Sequence, residues 1–139
     1  MSNSNSEKTL SKEQIDSVFS LYSSGNFQEA INQIKELNKV YPNVPNLFNL
    51  VGACYKAQGK LEAAVKMYET AIKIKPDYME AFTNLGITLK EMGQMNDAIK
   101  IFNDKITVNP KYLNAYFNLA SILKTLGRYE DAIESYQKV

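Results

Sequence analysis

The stretch MEAFTNLGITLKEMGQMNDAIKIFNDKITVNPKY, Met79–Tyr112, decides the fold of this 139-residue chain. Its Gly93 and Pro110 each belong to a series. Gly25, Gly59, Gly93 and Gly127 stand 34 residues apart, and Pro42, Pro76 and Pro110 recur at the same interval. Two punctuation series sharing one period mark an internal repeat. Five residues after each glycine comes an alanine, Ala30, Ala64, Ala98 and Ala132, followed by Ile31, Val65, Ile99 and Ile133. One helical turn beyond each alanine stands a bulky apolar residue, Ile34, Tyr68, Phe102 and Tyr136. The register therefore holds between the punctuation marks, and each unit carries an apolar stripe to bury.

Position 1 of the unit falls at Ser11, Pro45, Met79 and Leu113, which divides the chain into 11–44, 45–78, 79–112 and a shorter 113–139 that ends before its proline. In the third unit Phe82, Leu85, Gly86 and Leu89 follow the i, i+3, i+4, i+7 spacing of a helix, as do Phe48, Val51, Gly52 and Tyr55 in the second. Two helices of roughly 12 to 14 residues fill each unit. Glycine at position 15 takes the left-handed conformation that ends the first helix. Proline at position 32 pushes its predecessor out of helical geometry and ends the second. Gly52 and Gly86 at position 8 lie inside a helix, where glycine costs about 1 kcal/mol relative to alanine. The compensating gain expected there is a close approach by the second helix. Ser11 with Gln14 forms a capping box at the start of the first. The expected architecture is all-α: antiparallel helix-turn-helix units stacked into a right-handed superhelical α-solenoid over residues 11–139, with 1–10 a disordered leader.

Composition narrows the function. Sixteen basic residues against fifteen acidic leave a formal charge of +1, with no electrostatic footprint for nucleic acid. Histidine is absent and Cys54 is the single cysteine, so a transition-metal site is not expected, nor is any cofactor. Without histidine to activate it, Cys54 reads as an inert, partly buried small hydrophobe. Ser/Asn-rich residues 1–10 have neither the basic start nor the apolar run of a signal peptide, and no stretch approaches the ~20 apolar residues of a membrane span. A soluble, cytoplasmic protein that does not engage membranes is the expectation. No activated nucleophile, acid/base pair or phosphate-cradling loop occurs at recognisable spacing, because the repeat uses all six glycines. Catalysis is therefore not expected.

The units resemble the tetratricopeptide repeat family, which has an aromatic residue at position 4, Leu-Gly at 7 and 8, Ala at 20, an aromatic at 24, Ala at 27 and Pro at 32. The third unit matches at Phe82, Leu85, Gly86, Ala98, Phe102 and Pro110, and the second at Phe48, Gly52, Tyr55, Ala64, Tyr68, Ala71 and Pro76. The first departs, with Gln14, Ser17 and Val18 at positions 4, 7 and 8, as terminal repeats often do. In the third, Lys105 replaces the small residue at position 27; the expectation is that its stem snorkels and its amine reaches water, the alternative being a pair with an acid. The wording PDYMEAFTNLG, Pro76–Gly86, is similar to repeats that precede bacterial glycosyltransferase or sulfotransferase domains and to those of O-GlcNAc transferase. That likeness implies an alternative role as the substrate-selecting front of a longer enzyme, although no catalytic domain is present in this sequence.

By the same resemblance, the first helix of each unit lines a concave wall at positions 2, 5, 6, 9, 12 and 13, and a protein or peptide is the expected partner. The wall candidates are Asn49, Lys56, Asn84, Lys90, Asn114, Asn118 and Lys124, with Asn46 and Glu80 beside them. Asn84 and Asn118 share position 6, and asparagine both donates to and accepts from a peptide bond, so a ladder of them grips an extended backbone without reading side chains. The same asparagines also fit a merely solvated face. Lys56, Lys90 and Lys124, all at position 12, favour an acidic partner or simply complement the helix dipole. In the first unit the wall holds Ile15, Phe19 and Tyr22: a hydrophobic contact site, or the core stripe that such a pattern ordinarily denotes. The lysine, asparagine and arginine clamp with which co-chaperone members hold a terminal carboxylate is absent, since Ile15 and Phe19 fill its first two places and, read from the second unit, only Asn84 matches. At the other end, Ile133, Tyr136 and Val139 would face a following unit, so a self-assembling homo-oligomer is the other structural expectation.

Overall fold

The computed structural model describes residues 9–138, without the side chains of Tyr129, Glu130 and Tyr136. Most of the expected leader and Val139 lie outside the described residues. The chain is all-α. Eight helices occur among the described residues: α1 Lys12–Ser23, α2 Phe27–Val40, α3 Pro45–Ala57, α4 Leu61–Ile74, α5 Met79–Glu91, α6 Met95–Val108, α7 Leu113–Thr125 and α8 Tyr129–Gln137. They fall into two compact units, one ending at Lys75 and one beginning at Pro76.

Each odd-numbered helix ends in the same way. Gly25, Gly59, Gly93 and Gly127 have φ of 81°, 78°, 79° and 78°, the left-handed region that glycine enters without a Cβ clash. The amide two residues past each cap closes back onto the last turn: Asn26 onto the Leu21 carbonyl at 2.8 Å, Lys60 onto Tyr55 at 2.8 Å, Gln94 onto Leu89 at 2.9 Å and Arg128 onto Leu123 at 2.9 Å. With the glycine amide bonded one residue further along, this is a Schellman motif built four times. The next helix begins within two residues, so the chain reverses and each pair is antiparallel. At the other junctions Tyr41, Lys75 and Asn109, the residues before the prolines, leave helical geometry with ψ of 73°, 92° and 85°. At the front, the Gln14 amide donates to Ser11 Oγ at 3.1 Å and the Ser11 amide to Gln14 Oε1 at 2.9 Å, the expected capping box.

In the first unit Val18, Ile31, Ile34, Leu47, Val51 and Cys54 form the core. In the second, Leu85, Phe102, Leu119 and Ile122 are buried together with Ala81, Ala98 and Ala115. The helix glycines do what their position requires. A methyl group on Gly52 would stand 2.5 Å from Tyr68 Cε1, and one on Gly86 would overlap the Phe102 ring. Glycine at position 8 and an aromatic at position 24 are thus one device. In the first repeat the two positions carry Val18 and Ile34, both buried, a medium-sized pair where the second and third copies set a glycine against a ring.

Two readings need correction. Lys105 does not snorkel: it is buried, its Nζ lies 4.5 Å from the Phe82 ring centroid and donates to the Pro76 carbonyl at 3.4 Å. A cation over a ring face, with a carbonyl to accept from it, replaces the water it gave up. Nor is the Ile15–Phe19 stripe core. Ile15 is 38% exposed and Phe19 56%, while half-buried Tyr22 stands between the Phe19 and Phe27 rings, with centroid distances of 6.2 Å and 5.6 Å. The helix spends its burial on Val18, one residue round from the stripe.

Candidate functional site

The second unit builds a wall from two first-position helices. α5 and α7 touch side by side. Tyr112, just ahead of α7, is buried and donates its hydroxyl to the Met79 carbonyl at 2.8 Å, with Thr83 Oγ1 2.7 Å away. At the opposite end Lys90 Nζ donates to Ser121 Oγ at 3.1 Å. Start is tied to start and end to end, so the two helices run parallel and residues one repeat apart stand at the same level. Burial raises the Tyr112 hydroxyl above its ordinary value, against a smaller lowering by the Thr83 hydrogen bond, so the phenol remains a neutral donor.

Asn84 on α5 and Asn118 on α7 occupy that common level, and both are half-exposed. Asn114 and Lys124 are exposed on α7, whereas Lys90 is half-buried against Ser121. The Asn84 carbonyl accepts a bond from Thr88 Oγ1 at 2.7 Å. In the first unit, Asn49 on α3 is only 7% exposed and Lys56 is half-buried. Position 5, where Asn49 stands, therefore offers less polar surface than position 6. The wall also carries apolar groups that the polar pattern obscured: Leu113 is 50% exposed and Phe117 56%. Tabulating position 5 alone, which gives Ile15, Asn49, Thr83 and Phe117, would have shown the aromatic residue.

A shallow depression of 390 Å³ between α1 and α2 is lined by Ser11, Gln14, Gln33, Glu36 and Leu37. No group of three or more metal-ligating side chains occurs among the described residues. Cys54 is buried, and burial pushes its thiol up to about 11. No helix among the described residues is long and apolar enough to cross a membrane.

Comparison with known proteins gives this geometry a family context. A TPR repeat model matches residues 52–93, and a tetratricopeptide repeat model matches 80–112 and 113–139. Among solved structures, a crystal structure of MamA superposes with a TM-score of 0.78 at 19% identity, covering 90% of this chain and 73% of that one. MamA from Desulfovibrio magneticus RS-1 gives 0.75 at 22%, covering 91% and 72%. A tetratricopeptide repeat protein from Parabacteroides merdae gives 0.79 at 21%, covering 92% and 51%. At such identities the likeness is one of fold. No curated protein matches the sequence.

Proposed function

The chain belongs to the tetratricopeptide repeat family, whose models together match residues 52–139, and from that premise we propose that it is a binding module that grips an extended segment of a partner protein on the α5–α7 wall. Repeats of this kind present extended surfaces for protein partners. The observation that carries the reading is the pair Asn84 and Asn118: two half-exposed amides at one level on two parallel, touching helices. A peptide backbone crossing both helices offers a carbonyl and an amide to each in turn, and an asparagine side chain complements either. Lys90 and Lys124, toward the ends of the same helices, add positive charge beside the track. The test is the double substitution Asn84→Ala with Asn118→Ala, which should weaken partner binding without lowering thermal stability; unchanged affinity would sink the ladder.

A second reading is self-association at the C-terminal end. Its support is Ile133, 56% exposed on α8, together with Leu126, 41% exposed. Of its other two residues, the Tyr136 side chain and Val139 lie outside the described part. Sedimentation at rising concentration should show a dimer that Ile133→Asp abolishes, and a monomer throughout would exclude this mode.

A further inference from the structure

We infer that the segment held on the α5–α7 wall carries an apolar and an acidic residue on opposite sides of its backbone. The inference rests on the peptide-binding reading above and sharpens it. Along α7 the exposed surface changes character from one end to the other: Leu113 and Phe117 are apolar, with the exposed Asn114 amide beside them, Asn118 is an amide, and Lys124 is a cation. α5 follows in parallel, with Asn84 at the amide level and Lys90 held against Ser121 at the cationic end. At the apolar end it adds an exposed Glu80.

An extended backbone lying across the amides points successive side chains to opposite sides. One side then faces Leu113 and Phe117, and the other faces Lys90 and Lys124. From Asn118 to Lys124 the helix rises about 9 Å at 1.5 Å per residue, a gap that a lysine and an aspartate or glutamate span between them. On α5 the exposed Glu80 and Glu91 lie at opposite ends, so the side that receives the acid is set by Lys124 on α7, with Lys90 beside it. The occupant is accordingly a peptide whose apolar and acidic residues are adjacent or three apart, an odd spacing that places them on opposite sides.

Three fluorescein-labelled decapeptides with a Gly/Ser/Thr background and Leu-Asp, Leu-Lys or Ser-Asp at the centre serve as probes in fluorescence anisotropy with the full chain. The Leu-Asp peptide should bind tightest. Phe117→Ala should weaken it about tenfold, as loss of an aromatic anchor does, and Phe117→Leu should largely retain it. Lys124→Glu should weaken it about threefold and shift preference to the Leu-Lys peptide. Circular dichroism keeps loss of folding apart from loss of binding. If the three peptides bind equally and only the paired asparagine substitutions release them, this inference is overturned and the backbone grip stands. If none binds the wild-type chain, both readings fall.

Discussion

Cys54 and Lys105 show how much a single side chain's surroundings decide. Cys54 is fully buried, and burial raises its thiol from the ordinary 9.0 to about 11. As pH rises through that window the unfolded chain loses the proton first, so the folded state binds more protons and stability falls. The contribution is fully present below the lower value and is lost toward the upper one. At pH 8 a thiol reagent should leave the native protein unlabelled and react at once in urea; native labelling at the unfolded rate would contradict the burial. Lys105 makes the complementary point. Its position in the repeat marked it as unusual, but the pattern gave no sign that Phe82 and the Pro76 carbonyl would receive the amine. Those partners come from the preceding helix and the segment leading into it, and that meeting exists only once the hairpin has formed.

At the level of helices, the packing of α5 on α6 depends on a missing methyl group. Gly86→Ala drives a Cβ into the Phe102 ring, and with that ring fully buried the overlap should cost about 1–3 kcal/mol, read as a lower urea midpoint. Adding Phe102→Leu should recover part of the loss. Additive losses in the double variant would show that the two positions are independent. This pairing was readable in advance, because a glycine inside a helix is costly and its 34-residue recurrence beside an aromatic names the compensation. Helix ends were equally legible, since a left-handed glycine and a proline are local requirements. The exposure of Ile15 and Phe19 was not. Helical spacing says that a stripe shares one face, whereas burial of that face depends on what packs there, and the α1–α2 core is made by Val18, Ile31 and Ile34.

For the molecule as a whole, the sequence pattern set the register of the proposed wall but not its detail. Positions 6 and 12 follow from register, and Asn84, Asn118 and Lys124 have half-buried or exposed side chains on helices that touch. Asn49 recedes to 7% exposure, and Lys90 is partly spent on Ser121. The bond from Tyr112 to Met79, which fixes α7 against α5, joins residues 33 apart; the recurrence of tyrosine at Tyr78 and Tyr112 marks the position but does not name its partner. The surface proposed to bind a partner is compact: two amides in line, an apolar aromatic side and a lysine side. A display library of random decapeptides panned against the full chain tests it most directly, with Asn84→Ala/Asn118→Ala as the comparator. Wild type should enrich peptides that the double variant, equal in melting temperature, fails to retain. Equal retention by both proteins would contradict the grip.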